Sequence, residues 1–131
     1  MFPGLVYPDE LEVRFLANSP SYSIEGVAWA DRMLLREFRA VWDEGEVVAP
    51  AGFIYDGASI PGPAQGLFQK QGSWMRPSVI HDWLYDQKDS RGRGFADDLL
   101  EASLEAAGTP AWGRFWFMRA VRTFGQAAWD D

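Results

Sequence analysis

The sequence predicts an α+β fold: a small antiparallel β-sheet in the N-terminal half, packed on a three-helix C-terminal part. Three observations predict it. Up to about residue 73, short apolar runs are broken by Gly and Pro. Beyond that point the apolar residues recur at helical spacing to the end. The length of 131 residues fits one domain, large enough to bury a core without staples. The reading is therefore an N-terminal arm over residues 1–10, a mainly β and loop region over 11–72, and a helical region over 73–131.

Each element has a local reason. Leu11-Glu12-Val13-Arg14-Phe15 alternates apolar and charged residues, as a half-buried strand does. Asn18-Ser19-Pro20-Ser21 reads as a turn. Met33 to Trp42 is ambiguous. Leu34, Leu35, Phe38, Val41 and Trp42 make a helical stripe, while Leu34, Phe38, Ala40 and Trp42 make a strand face interrupted by Arg36. Asp43-Glu44-Gly45 is a strong turn, followed by the strand-like Val47-Val48-Ala49-Pro50, so a hairpin is preferred. Phe53-Ile54-Tyr55 is a further short strand, and Asp56 to Pro63 is a loop that cannot be helical.

Three helices follow. The first is predicted to start with Pro77 at its first position and to run to about Gln87, with Ile80, Trp83 and Leu84 as its apolar arc. Residues 88–94 read as an exposed linker. The second runs from about Phe95 to Ala107, with Gly108 as its C-terminal cap and Phe95, Ala96, Leu99, Leu100 and Leu104 facing the core. Thr109 and Pro110 supply an N-cap and first position for the third. There, Trp112, Trp116, Phe117, Ala120, Val121 and Phe124 read as the core side. Phe115 and Met118, among Arg114, Arg119 and Arg122, read as an interface with a partner protein or, as the weaker alternative, a lipid surface. The arm, with Phe2 and Tyr7, reads as a second sticky region.

His81 is the only histidine. It borders the first helix's apolar arc, with Tyr85 one turn on and Asp82 turned about 100° away. On the second helix, Asp97 falls at the edge of the core arc, where an unpaired charge is costly. Its expected partner is His81, or else Arg93 four residues earlier. His81, Tyr85 and Asp97 are thus expected to converge. Spacing alone favours a partly buried histidine paired for structure over an acid–base site, because perturbed ion pairs are often structural.

Composition narrows the classes. The formal net charge of −7 argues against nucleic-acid binding. There is no cysteine, and so no thiol nucleophile or zinc–thiolate site. No apolar run has the length of a membrane span, and Met1-Phe2-Pro3-Gly4 lacks the character of a signal peptide. Aromatics at 15%, including 7 tryptophans, imply a dense core, an exposed sticky face, or both.

Several pieces occur together in order: Ala49-Pro50-Ala51-Gly52-Phe53, Asp56-Gly57-Ala58-Ser59-Ile60-Pro61, His81-Asp82-Trp83-Leu84-Tyr85, Arg93 with Ala96-Asp97, and Arg119 to Gly125. Over roughly residues 30 to 129 this resembles a phage and prophage family, domain of unknown function thirteen-fifty-three. The resemblance implies a viral context and no particular activity. The helix pair is more distantly similar to secreted calcium-dependent phospholipases. That likeness implies His81 as the base that activates water, Asp97 as its orienter, Tyr85 as support, and Asp82, with Asp56, as ligands of a divalent cation such as calcium.

Two expectations follow. One is a phage-encoded, virion-associated or morphogenesis protein with a His–Asp hydrolase-like site acting on an ester or amide bond of the host envelope. The other is a non-enzymatic virion component of a tail, baseplate or connector, in which the cluster is structural. The first needs an open cluster. The second expects a closed one, with the arm or the aromatic helix covered by another chain. Either places the chain in the virion, or in the host cytoplasm during assembly. Expected partners are other virion proteins or further copies of the chain, with peripheral envelope contact. The Asp56–Pro61 loop is expected to pack on the His81 helix, with the Asp56 carboxylate satisfied by a backbone N–H, Arg76 or a cation.

Overall fold

Strand alternation and helical periodicity divide the chain where the sequence changes character. The structure, a computed structural model, describes residues 2–15, 23–24, 27–28, 32–55 and 75–130. The strands are β1 Val13–Phe15, β2 Ser23–Ile24, β3 Val27–Ala28, β4 Arg32–Leu34, β5 Phe38–Trp42, β6 Gly45–Ala49 and β7 Ile54–Tyr55. The helices are α1 Met75–Gln87, α2 Arg93–Ala106 and α3 Ala111–Asp130. This is an α+β arrangement with antiparallel sheets before three helices.

In the three-stranded sheet β4 lies between β1 and β7, with Val13 opposite Leu34 and Arg32 opposite Tyr55. β5 and β6 form the hairpin across Asp43 and Glu44, with Phe38 opposite Ala49 and Ala40 opposite Val47. Those four residues are buried, so period two governs this stretch. The ambiguity over Met33–Trp42 ends at Arg36, which sits in an exposed bend between two separate strands.

The arm is a strap on its own chain. Val6 and Val41 exchange backbone hydrogen bonds of 2.8 and 2.9 Å, and Asp43 N–H donates to Pro3 O. Phe2 is buried edge-on against Trp42 and Phe95. Tyr7 stacks on Phe38 and bonds its hydroxyl to Ser103 of α2. The Asp9 carboxylate takes a two-pronged ion pair from Arg39. The expectation of Phe2 and Tyr7 as sticky surface is thus corrected: the hairpin and α2 already cover them.

α1 is buried on nearly all sides. Pro77 through Asp82, Leu84 and Tyr85 are inside, and Trp83 is half-buried. It packs on α2, the β5–β6 hairpin, β7 and α3. The helix begins two residues before the predicted start, so Pro77 occupies the third position. It is tolerated there because first-turn N–H groups have no intrahelical partner. α2 likewise begins at Arg93, earlier than predicted.

Both α1 and α2 end in the same double bond pattern. At α2, Gly108 with φ 84° donates to Glu105 O and Thr109 donates to Leu104 O, each at 3.0 Å. At α1, Lys88 with φ 47° donates to Tyr85 O and Asp89 to Leu84 O, each at 3.1 Å. The predicted cap at Thr109 fails. Its hydroxyl is buried without a hydrogen-bond partner among the described residues, and Pro110 O accepts the first bond of α3, from Arg114.

α3 is rotated from the predicted orientation. Its buried stripe is Gly113, Phe117, Met118, Val121 and Gly125. Phe117, Met118 and Val121 form a second core with Leu100 and Leu104. Met118 is therefore interior, while Trp112, Trp116 and Phe124 are exposed. The sequence reading took bulky aromatics as core markers, whereas the small glycines mark the inner face.

Lys88 carries strain that glycine would not. A left-handed non-glycine residue costs about 1–2 kcal/mol, against about 0.5–1 kcal/mol for glycine's extra chain entropy. Lys88→Gly is expected to raise the unfolding free energy by about 0.5–1 kcal/mol, and Lys88→Val to lower it, both read from urea midpoints.

Candidate active site

The short α1–α2 connection sets two helices side by side, and i,i+4 spacing aligns their polar residues. On α1, His81 and Tyr85 sit one turn apart with ring centroids 4.2 Å from each other. On α2, Asp97 faces them. Its Oδ1 lies 2.7 Å from His81 Nε2 and accepts the Tyr85 hydroxyl at 2.6 Å. Its Oδ2 lies 3.6 Å from Arg93 Nη1, one turn back on α2. The predicted convergence of His81, Tyr85 and Asp97 is present, and both expected partners of Asp97 are engaged at once.

The tautomer follows from the partner of the ring. An ionised carboxylate only accepts, so His81 Nε2 carries the proton and donates it to Asp97. The lone pair of the neutral ring is then on Nδ1. Burial pushes the His81 pKa below its ordinary value. The hydrogen bond and charge of Asp97 oppose this without prevailing, and Arg93 lowers it further. Burial, reinforced by Asp97, raises the Tyr85 phenol far above its ordinary range. At neutral pH the cluster therefore holds a neutral imidazole and a protonated phenol.

The cluster is closed. His81 is 1% exposed and Asp97 2%. α3 forms its roof: the Trp129 ring meets Tyr85 edge-on at 5.1 Å, and Arg93 donates to Arg122 O at 3.4 Å. Gly125 marks the closest approach. A Cβ there would lie 2.7 Å from the Tyr85 hydroxyl oxygen and 2.9 Å from Arg93 Nη1.

Asp82 belongs to a different side of α1. It is buried, and its charge raises the Tyr55 phenol while that of Arg32 lowers it. Burial pushes that phenol up to about 12. Asp56, and the loop expected to pack on α1, lie outside the described residues. Among the described residues no three His, Asp or Glu side chains gather as a metal site. Arg76 reaches the Tyr7 and Asp9 carbonyls, tying α1 to the arm.

Of the residues read as an interface, Phe115, Arg119 and Arg122 are exposed and Arg114 is half-buried. Arg114 donates to Thr109 O, and Arg122 is paired with Asp98 and Glu101. Sequence reasoning missed the Tyr7–Ser103 pair and the roof residues Gly125 and Trp129. Gly125 had one signal: a glycine inside a helix disfavours it, and so marks a close approach.

The pattern of one family, described as "Protein of unknown function (DUF1353)", matches residues 33–121. The chain belongs to this family. The matched span runs from β4 to Val121 of α3, and so includes His81, Tyr85, Arg93 and Asp97 but neither Gly125 nor Trp129. No curated protein and no solved structure matches the chain.

Two outcomes are expected for this DUF1353 chain. An exposed helical Gly→Ala substitution stabilises by about 1 kcal/mol. Gly125→Ala is expected to destabilise instead, by about 1–2 kcal/mol, because the added methyl meets the Tyr85 oxygen. In a double-mutant cycle with Tyr85→Phe, the cost of Gly125→Ala should shrink. The second outcome concerns pH. The folded-state pKa of His81 lies below its ordinary value of 6.5, so the unfolded chain binds more protons between the two values. Stability should therefore fall as pH drops below about 6.5, by up to about 1.4 kcal/mol per pH unit. Denaturant melts from pH 7.5 to 5 should show this slope, and His81→Gln should remove its share.

Proposed function

We propose that this chain is a virion-associated or morphogenesis protein of a bacterial virus, with a hydrolase-like site acting on an ester or amide bond of the host envelope. The observation that carries the reading is the Asp97 Oδ1 atom, bonded at once by His81 Nε2 at 2.7 Å and the Tyr85 hydroxyl at 2.6 Å. This is the geometry of an oriented general base. The closed cluster must first open; neutral His81 then takes a proton from water on Nδ1 as the water oxygen attacks the carbonyl carbon. Asp97 stabilises the resulting imidazolium, and Tyr85 holds Asp97 in place. His81 then returns the proton to the leaving oxygen or nitrogen as its bond to carbon breaks.

The described residues do not by themselves suit calcium. That ion takes six to eight oxygens, and Asp82 is a single buried carboxylate. No step here runs through a cation.

A second reading has its own support. His81 is 1% exposed, which suits a non-enzymatic virion component in which the cluster locks α1 to α2. One experiment separates the two. Purified chain is incubated with envelope lipids and with small chromogenic esters, and product release is followed beside thermal stability. On the hydrolase reading, His81→Asn lowers the rate by about a hundredfold or more and Asp97→Asn by less. The acid limb of the rate profile should lie at a pH below 6.5, because burial lowers the His81 pKa in the folded chain. A well-folded wild-type chain without turnover on any of these substrates favours the structural reading.

A further inference from the structure

Two exposed charges of opposite sign flank the aromatic side of α3. Trp112, Phe115 and Trp116 are 66%, 58% and 56% exposed. At 100° per residue they fall with Arg119 on one side of the helix, opposite the buried stripe around Val121. The second charge belongs to α2. Asp98, Glu101 and Glu105 follow at three- and four-residue steps and so form one row on that helix. Arg122 of α3 bonds the first two, at 3.2 and 2.6 Å. The two helices run antiparallel, with Arg93 at the start of α2 bonded to Arg122 O far along α3. Two turns back from Arg122 to Phe115 therefore correspond to two turns on from Asp98 to Glu105. Glu105 thus lies beside the aromatics on α2, and Arg119 lies one turn along α3.

Both charges are exposed, and neither has an ion-pair partner among the described residues. Arg122 is taken by its two carboxylates and Arg114 by Thr109 O. Three aromatics at this exposure offer roughly 400 Å². An ordinary interface takes about 800 Å² from each side, a little over half of it apolar, so the patch holds the apolar part of one. The charges select the partner. A face with a cation on one flank and an anion on the other is complementary to itself under a two-fold rotation. A partner of one sign would meet either Arg119 or Glu105 with a like charge. The net charge of −7 does not oppose the contact itself, because residues 106–129 hold no acidic residue. Repulsion from carboxylates farther away is screened beyond about 10 Å at 0.1 M salt.

We infer that this face of α2 and α3 is the two-fold interface of a dimer of the chain. Trp112, Phe115 and Trp116 of both copies pack at its centre, and Arg119 of each copy pairs with Glu105 of the partner subunit. The contact is independent of any catalysis at His81, because its signature is mass and not turnover. The five residues lie outside the buried core, so circular dichroism can confirm that each variant folds.

The test is sedimentation equilibrium of the full chain over a range of concentrations. A monomer–dimer equilibrium is expected. Trp112→Ser/Phe115→Ser/Trp116→Ser should raise its dissociation constant at least about tenfold. Arg119→Glu and Glu105→Arg should each raise it about fivefold, since each change acts twice across the axis. The double variant Arg119→Glu/Glu105→Arg restores both pairs and should return within about twofold of the wild type. A wild-type chain that stays monomeric up to about 1 mM would overturn the inference. So would a dimer that the triple variant leaves unchanged, or a double swap no better than the single ones. A larger closed ring would assign the face to a head-to-tail contact instead.

Discussion

The Asp97 carboxylate is the constraint on which the helical half depends. An isolated charge in the interior is costly, and it persists only when donors surround it. His81, Tyr85 and Arg93 are those donors, drawn from two helices. Their geometry fixes the rotation of α1 against α2, since either helix turned by one residue would strand the charge. α1 can carry these groups inward because it is enclosed on nearly all sides. The hairpin, β7 and α3 supply its apolar walls, and the strap of residues 2–9 holds the hairpin to α2 through Phe2 and Tyr7. The polar cluster and the N-terminal strap are in this sense one structure, joined through α2.

What the sequence revealed and what it concealed differ for physical reasons. The hairpin was legible because a strong turn separates two alternating arms, and register then follows from the turn. The Asp97 partnership was legible because a charge on a core-facing arc must be answered. The end of α2 was legible at Gly108, whose left-handed backbone favours glycine. The end of α1 fell where predicted, at Gln87, although Lys88 takes the same left-handed conformation without the residue that announces it.

α3 shows a deeper limit. Its bulky apolar residues lie on both faces, so side-chain size alone does not choose between them. The discriminating residues were Gly113 and Gly125. Close packing selects small side chains at the contact, and the bulky Trp112 and Trp116 are left outside it. The strap was opaque for a related reason. An apolar arm beside prolines reads the same whether its own chain or another covers it.

A closed acid–base cluster and an exposed aromatic face meet on this one helix. The inner side of α3 presses Gly125 and Trp129 on Tyr85, and its outer side presents Trp112, Phe115 and Trp116. The helix is anchored unevenly. Phe117, Met118 and Val121 sit in an apolar core with α2, whereas the segment beyond Val121 is held mainly by polar contacts: the Arg122 pairs with Asp98 and Glu101, the long Arg93 bond, and the packing of Trp129 on Tyr85. A ligand on the outer face shifts that roof only to the extent that it binds the shifted arrangement more tightly. Water reaches His81 only when the roof, or some other wall of the cluster, moves. Any turnover at His81 therefore depends on an opening step in one of the walls that close the cluster.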